Sequence, residues 1–468
     1  MDLLGIINPC LIGSLIIVWL FPYDSLRKAN FILIVFLGTG IGLGITSATI
    51  FLWLVIFGQP DSYYFLAEFG FVFLLFLLAS HSINSSKDPQ SDSIIGSNDN
   101  FNTVALLKYF FYILLVFSLA SFALKAFVHD PHGKADAWQM WNYRARLLFH
   151  GGIQWSYAFS KDIIHSSPDY PLLLPASIFR MWVIFGTDSI AVPITIAGFF
   201  TFGSIFLVLQ GLSIIRGQNH GYLAAIFMLI ATQFIKIGTY QYADIPLAFF
   251  ILSTIILLTL KEKYPLAALK IMFLAGLATS CAAWTKNEGI LFLALMILVL
   301  IMFNIIIKKQ LSGIKEFIYF LFGLTPILSI EIFFKLRFAP SNELVNLNNL
   351  SYIFPYLVQL DRYQQIFLKF TKKVFLFNDG IIFIMVVYLL LSGLDKKFFN
   401  RKMLSPLVTL LGLLFCGYFL SFLISPYDLK RHLNSALYRL ILHIWPSWVF
   451  LFFLCTKGAE KITIDEKP

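Results

Sequence analysis

The chain has 468 residues, of which 59% are hydrophobic and only 13% are charged. Soluble domains carry about 25% charged residues, so the composition excludes a soluble protein and predicts a membrane protein. The net charge of +10 is not concentrated in one basic stretch, which argues against nucleic acid as a partner and favours an excess of positive charge on the inner side of a membrane.

The cysteines and the first twenty residues indicate whether the protein has disulfides, a zinc site or a signal peptide. The four cysteines lie in or beside apolar segments without metal-ligand spacing, so neither a disulfide framework nor a zinc site is predicted. The first twenty residues lack a basic region and a clear cleavage site. We therefore interpret them as a retained transmembrane helix and not as a signal peptide.

Thirteen apolar runs are long enough for membrane helices, because about 20 apolar residues cross a ~30 Å hydrocarbon core. A shorter run at 172–186 is predicted to be re-entrant or interfacial. The fold class is therefore an all-α polytopic membrane protein with about 13 transmembrane helices. The runs lie at about 3–21, 31–57, 63–81, 104–128, 188–212, 221–240, 245–260, 265–284, 288–307, 316–334, 374–392, 404–424 and 438–456.

Positive charge orients these helices. With the N-terminus outside, most lysines and arginines of the short loops lie inside, and the opposite orientation would reverse this bias. The large polar segments at 129–187, 335–373 and 425–437 are then outside. The predicted units are an N-terminal three-helix segment at 1–82, a flexible cytoplasmic loop at 83–102, a membrane core at 103–334 and C-terminal helices at 335–468.

The first outer loop contains a predicted amphipathic helix that begins at Asp136. Trp138, Trp141, Ala145 and Leu148 recur at helical spacing, which is typical of a helix that lies in the membrane interface. Arg144 and Arg146 follow on the same helix. A turn with the sequence Pro-Asp-Tyr-Pro then brings Asp169 to the point where the chain re-enters the membrane.

Three later polar groups fall at the same predicted face. One holds Lys236 and Asp244, a second holds Lys286 and Glu288 in a hairpin with almost no loop, and the third runs from Arg431 and His432 to Arg439 and His443. Charges at the edge of apolar spans are costly and are often functional.

Each group also has a simpler interpretation. Asp244 could cap a helix, Lys286 and Glu288 could form an ordinary charged hairpin, and Lys236 could extend to the interface. Arg439 and His443 share a helix face and could pair with a neighbouring acid. Arg144 and Arg146 could contact lipid headgroups. Metal binding stays open for the four loop histidines, which are His129, His132, His150 and His165.

Acids and cations at one membrane face suit the transfer of a sugar from a lipid phosphate. An aspartate supplies the general base for an acceptor hydroxyl, and cations stabilise the charge that develops on the leaving phosphate. Apolar helices provide a groove for the lipid tail.

Four stretches in order resemble the GT-C superfamily of membrane glycosyltransferases, in particular the protein mannosyltransferase and aminoarabinose transferase-like group. They are KADAWQMWNYRARLLFHGG, SPDYPLLLP, YADIPLAFF and AAWTKNEGILF, and they cover about residues 104 to 307. The C-terminal DLKRHLNSALYRLILHIWP resembles the end motif of some bacterial members.

The resemblance implies the GT-C fold with interfacial helices in the first outer loop, a polyprenyl-phosphate sugar donor and an inverting transfer. The family's first-loop catalytic acid falls on Asp136, its later acid on Asp244 and its Thr-Lys motif on Lys286. The chain departs from the pattern where Ala137 follows Asp136, where Gln139 replaces an arginine, and where no lysine precedes Pro171. These differences argue against a lipid A acceptor.

We therefore expect a glycosyltransferase of the inner (plasma) membrane with its site on the periplasmic or extracellular face. The acceptor is a glycan, a lipid or a protein, and we expect no cofactor, although a divalent metal stays open. A lipid-linked oligosaccharide flippase or transporter and an O-antigen polymerase or ligase are the alternatives. Asp136 is the predicted base, with Asp169, Asp244 and Glu288 as supporting acids; the predicted phosphate-binding residues are Lys286, Arg431, His432, Arg439, Lys236 and Arg144.

Overall fold

The computed structural model describes residues 4–21, 31–85, 101–163, 166–307, 310–341, 350–399 and 404–457. This part of the chain is almost entirely helical, and its only β-type pairing is an isolated bridge between Leu394 and Thr456. The predicted all-α fold class is confirmed. His165 and most of the predicted loop at 83–102 lie outside the described residues.

The helices follow one another with short connections. In chain order they are α1 (Leu4–Leu20), α2 (Phe31–Phe57), α3 (Ser62–Ser85), α4 (Phe101–Ala123), α5 (Asn142–His150), α6 (Leu173–Phe185), α7 (Ala191–Arg216), α8 (Gln218–Ile230), α9 (Thr232–Gly238), α10 (Asp244–Lys263), α11 (Ala268–Thr285), α12 (Asn287–Leu300), α13 (Leu311–Arg337), α14 (Leu350–Leu357), α15 (Leu360–Phe375), α16 (Ile381–Ser392), α17 (Lys396–Phe399), α18 (Leu404–Ile424) and α19 (Leu429–Cys455).

Ten helices of the described chain are long and apolar enough to cross a membrane, and the number rises to twelve if each of two bent pairs is one span. These twelve, with the shorter apolar helix α1, correspond to the thirteen predicted runs. The pair α8 and α9 bends by 67° where one span at 221–240 was predicted. The polar residues Thr232, Gln233 and Lys236 follow the bend, and such side chains are costly inside hydrocarbon.

The helix α10 lies at the centre of the bundle, with every residue from Asp244 to Lys261 buried. A helix that is apolar on all sides is stable only when it is surrounded by other helices. Its hydroxyl side chains return their hydrogen bonds to the preceding turn, as Ser253 does to the Phe249 carbonyl at 2.7 Å. The helix places Asp244 at one end of the bundle and Lys261 at the other, about 25 Å apart along a helix axis.

The N-terminal helices α1 and α2 pack at backbone contact. A Cβ atom added to Gly42 would lie 1.7 Å from the Pro9 carbonyl oxygen, and one added to Gly13 would lie 1.8 Å from the Gly38 carbonyl oxygen. Small residues permit this approach between membrane helices. In turn, Ser47 of α2 accepts a hydrogen bond from the Trp284 indole of α11 at 3.1 Å. The N-terminal segment is therefore packed into the core.

A buried ion pair also joins the N-terminal segment to the short helix α6. The Arg180 guanidinium pairs with the Glu68 carboxylate of α3 through two contacts, of which Nε to Oε2 measures 3.1 Å, and it donates to the Gly5 carbonyl of α1 at 2.9 Å. Both side chains are fully buried. The helix predicted as re-entrant or interfacial is thereby fixed against two N-terminal helices, α1 and α3.

Changing Glu68→Gln is expected to lower the free energy of unfolding by about 3–5 kcal/mol, because it leaves the buried Arg180 without its counter-charge. Thermal unfolding in detergent measures the loss. The control is Glu262→Gln, since the Glu262 side chain is 43% exposed and is expected to contribute at most about 1 kcal/mol. Equal melting temperatures for the two variants would contradict this role of the ion pair.

Candidate active site

Residues that are far apart in sequence form one cluster at the end of the bundle where α10 begins. The hairpins before α10 and after α11, the loop after α4 and the middle of α19 each contribute to it. We call it the ion-pair cluster, and its members are Asp136, Asp244, Lys286, Glu288, Arg439 and His443.

Asp244 is the hub of the ion-pair cluster and has no exposed side-chain surface. Its Oδ1 accepts from Lys286 Nζ at 3.0 Å and from His443 Nε2 at 2.7 Å. Its Oδ2 accepts from Arg439 Nε at 3.0 Å and Nη2 at 2.8 Å. A buried carboxylate requires partners of this kind, because an unpaired charge in a low-dielectric interior is very costly. A residue that only caps a helix needs neither full burial nor three charged or polar side-chain partners, so capping alone does not account for Asp244.

Arg439 connects the first loop to this hub. Its Nη1 lies 2.6 Å from Asp136 Oδ2, while its other nitrogens hold Asp244. The guanidinium also lies over the Tyr242 ring, 4.7 Å from the centroid. Asp136 itself is 26% exposed, and its Oδ1 has no hydrogen-bond partner in the described part of the chain. It is the acid of the ion-pair cluster with the most accessible carboxylate.

Tyr242 contacts the first loop from the hairpin before α10. The backbone of Asp136 hydrogen-bonds its hydroxyl, and burial, together with the negative charge of Asp136, raises the pKa of Tyr242 to about 12. The phenol therefore stays protonated at neutral pH. Sequence reasoning overlooked this residue, although it stands in the YADIP motif that carried the resemblance.

The first loop is held against the same hairpin by several further bonds. The Lys134 amide donates to the Tyr240 carbonyl at 3.3 Å, and the Asn142 side chain donates to Gln241 Oε1 at 2.8 Å. Gln241 in turn donates to the Pro131 carbonyl at 3.1 Å. Gln241 adopts a positive φ of 59°, a strained backbone that persists where its surroundings fix it. These bonds position Asp136.

The helix after Asp136 corrects one detail of the predicted amphipathic stripe. Trp141, Ala145 and Leu148 are buried, but Trp138 is 52% exposed. Residues Ala137–Trp141 form a π-helical turn, whose wider spacing moves Trp138 away from the face shared by the other three.

Asp169 lies in a second polar group beside the ion-pair cluster. Its Oδ2 accepts from the Asn287 amide at 2.8 Å, and Lys335 Nζ bonds to the Asn287 Oδ1 at 2.6 Å and to the Asp169 carbonyl at 2.5 Å. Asn287 separates Lys286 from Glu288, so the two groups share one hairpin. Lys335 was not predicted because it follows the apolar run at 316–334.

The remaining predicted cations lie elsewhere. Arg144 is buried beneath the first loop, donates to the Tyr170 carbonyl at 2.8 Å and leaves Nε and Nη2 without partners among the described residues. Burial lowers its pKa to about 9, so it stays cationic at neutral pH. Lys236 is exposed on α9.

His432 and Arg431 lie near the beginning of α19 and are not brought to the ion-pair cluster. The His432 ring bonds to the Ser425 hydroxyl at 2.9 Å, and the exposed Arg431 contributes its backbone amide to the Asp428 side chain at 2.8 Å. Position along the helix explains the separation. The ring of His443 lies in the ion-pair cluster eleven residues later, about 16 Å further along the axis.

Two other features bear on possible ligands. Within the described ranges, no group of three histidine, cysteine or acidic side chains is arranged to hold a metal ion. His150 instead pairs with Asp188 at 3.4 Å. A cavity of about 910 Å³ lies at the opposite end of the bundle beside the ion pair of Lys261 and Glu316, and so it is separate from the ion-pair cluster.

Comparison with known proteins points to a class. Residues 176–343 match the model of the dolichyl-phosphate-mannose-protein mannosyltransferase family, which is a GT-C family. This partial match supports the resemblance to GT-C membrane glycosyltransferases, and the apolar helices agree with a multi-pass membrane protein. More particularly, this family supports a lipid-linked sugar as the donor. Neither a curated protein nor a solved structure matches the chain.

The matched segment contains part of the ion-pair cluster. Asp244, Lys286 and Glu288 lie inside it, whereas Asp136 precedes it and Arg439 follows it. The segment begins within α6 and so overlaps only partly with the stretches that carried the resemblance.

Proposed function

We propose that this protein transfers a sugar from a polyprenyl-phosphate donor to an acceptor hydroxyl group, with inversion at the anomeric carbon, on the outer face of the inner (plasma) membrane. One observation carries the proposal: a partly exposed carboxylate, Asp136, lies 2.6 Å from a guanidinium that a buried acid holds in place. A base and a cation are thus adjacent at the point where a hydroxyl and a phosphate must meet.

Accessibility distinguishes the roles of the acids. A general base must come within hydrogen-bonding distance of the proton that it removes. Asp244 has no exposed surface, whereas Asp136 has 26% of its side chain exposed and one oxygen free of partners among the described residues. Asp136 is therefore the catalytic base in this proposal, and Asp244 is a positioning residue.

The transfer step follows from these positions. Asp136 takes the proton of the acceptor hydroxyl as its oxygen attacks the anomeric carbon of the sugar. The bond between that carbon and the donor phosphate oxygen breaks, and its electron pair leaves with the polyprenyl phosphate. Attack from the face opposite the leaving phosphate inverts the configuration.

Arg439 supplies positive charge for the leaving phosphate, since 22% of its side chain is exposed and its planar group suits phosphate oxygens. Lys286 is nearly fully buried and bridges Asp244 and Glu288 at 3.0 Å each, so it stabilises the acids more than it contacts substrate. Fixed charges of this kind lose no energy to reorganisation during the reaction.

The test uses purified protein in nanodiscs with polyprenyl-phosphate-linked radiolabelled sugars and an envelope extract as the source of glycan, lipid and protein acceptors. We expect release of polyprenyl phosphate in equal amount to the sugar transferred, and an inverted linkage by NMR. Nucleotide-linked sugars serve as the control and should give no product.

Two results together would overturn the proposal in favour of a transporter. They are the absence of turnover with every lipid-linked sugar, and labelling of cysteines placed at positions 236 and 439 from both sides of the membrane. A glycosyltransferase with a fixed site is expected to react from one side only.

A further inference from the structure

A polar cavity lies where α15, the turn after it and α19 meet. Its volume is about 410 Å³, within the range of small-molecule sites. It is bordered by α15, by the turn that follows α15, and by Tyr438, the neighbour of Arg439 in the chain. We call it the lysine cavity, after its residues Lys369, Lys372 and Lys373.

The three lysines share one face of α15, because residues three and four apart are neighbours on a helix. Asp379 is the only acid that lines the lysine cavity, so three positive charges meet one negative charge. None of the three ammonium groups forms an ion pair within the described residues, although Lys373 lies 5.8 Å from the centre of the Tyr438 ring. Three like charges repel one another unless an anion lies between them.

Asn378 provides an independent sign of a missing ligand. Its side chain is buried, and its Oδ1 accepts a hydrogen bond from the Tyr438 hydroxyl at 3.3 Å. Its Nδ2 has no partner among the described residues, yet the residue lines the lysine cavity. A buried amide donor without an acceptor is costly, and a ligand oxygen would satisfy it.

The backbone at this point is strained as well. Asn378, Asp379 and Gly380 have φ angles of 45°, 56° and 82° in succession, and the first two are not glycine. Left-handed residues of this kind cluster at ligand sites, where the surrounding structure holds them. The turn directs Asn378 and Asp379 towards the lysines.

The charge balance separates the lysine cavity from the ion-pair cluster. Lys286 and Arg439 are already paired with Asp136, Asp244 and Glu288, so a bound phosphate there must compete with carboxylates. The three lysines of the lysine cavity face a single carboxylate, that of Asp379. The unneutralised positive charge of this region therefore lies in the lysine cavity.

We propose that the lysine cavity binds the phosphate group of a phosphate-bearing acceptor; its assignment to a substrate rests on the proposed function. The lysines supply the counter-charge, and Asn378 Nδ2 donates to a phosphate oxygen. Tyr438 forms the wall between this phosphate and Arg439.

Binding tests the proposal without any transfer step. Polyprenyl phosphate and inorganic pyrophosphate are titrated onto the protein in nanodiscs of neutral lipid. The variants are a triple change, Lys369→Gln with Lys372→Gln and Lys373→Gln, and the single change Asn378→Asp. We expect each to raise the dissociation constant of pyrophosphate at least tenfold and that of polyprenyl phosphate less than twofold, with a melting temperature close to that of the unchanged protein.

The control removes two exposed lysines at the same predicted membrane face, Lys161→Gln with Lys430→Gln, and should change binding less than twofold. Loss of pyrophosphate alone in the triple variant identifies the phosphate of an acceptor as ligand. Loss of both probes would place the donor phosphate in the lysine cavity and contradict the acceptor as ligand. The Asp136→Asn variant should still bind both probes. The binding result therefore stands even if the protein transfers no sugar.

Two further results would overturn the proposal. One is unchanged binding of pyrophosphate in the triple variant. The other is displacement of pyrophosphate by phosphatidylglycerol at equal concentration, which would show that the lysines form a general surface for anionic lipids.

Discussion

Changing Asp136→Asn is expected to lower the rate of sugar transfer by roughly 10²–10⁴-fold, the usual contribution of a general base. Asparagine has nearly the same shape and can still accept a hydrogen bond from Arg439, but it cannot take a proton. The loss should therefore appear in kcat, with the protein folded and present in the membrane at its normal level. Release of polyprenyl phosphate, followed over time, measures the rate.

The matched control is Asp130→Asn. Asp130 lies in the same loop and is also ion-paired, to Lys134 at 2.6 Å, but it has no contact with the ion-pair cluster in the described structure. Its activity should stay within about twofold of the unchanged protein, because surface ion pairs contribute little. A full rate for the Asp136 variant would remove this residue from catalysis.

Changing Asp244→Ala is expected to lower the free energy of unfolding by about 3–5 kcal/mol. The change leaves Arg439 and Lys286 with fewer counter-charges in a buried site, and His443 loses its 2.7 Å partner. Transfer activity should fall as well, because Arg439 loses its anchor. Thermal unfolding in detergent and the transfer assay measure the two effects.

A double variant tests whether the stability loss comes from unpaired charge. Asp244→Ala combined with Arg439→Leu should be more stable than the sum of the two single losses predicts, because the effects of changing two residues of one charge network are not additive. Asp162→Ala, an exposed acid of the first loop, should change stability by no more than about 0.5 kcal/mol. Strict additivity of the double variant would show that the two charges do not depend on each other.

Much of the fold could be predicted because membrane helices leave a simple pattern in sequence. The apolar runs corresponded to the observed helices, and the short run at 172–186 was separated correctly as α6. Bends were not predicted. The break between α8 and α9 places the polar residues Thr232, Gln233 and Lys236 just after the bend. Hydropathy averaged over the whole run does not reveal where such a bend occurs.

The site could be predicted in outline for a different reason. Asp244, Lys286 and Arg439 each stand out because charge is rare beside apolar runs, and the structure brings these three together. Their pairing depends on helix rotation and on position along the axis. For the same reason His432, in the same motif as Arg439, lies beside Ser425. The π-helical turn at Trp138 likewise leaves no sequence signal.

The central position of Asp244 has a consequence for how the protein is made. Lys286 follows it by 42 residues, but Arg439 follows by 195. At synthesis rates of about 5–20 residues per second, Arg439 emerges roughly 10–40 s after Asp244. During that interval the newly inserted α10 carries an acid that only Lys286 can neutralise. On the proposed function, the site lacks its phosphate-binding cation until α19 enters the membrane, so a copy without α19 is expected to consume no lipid-linked sugar.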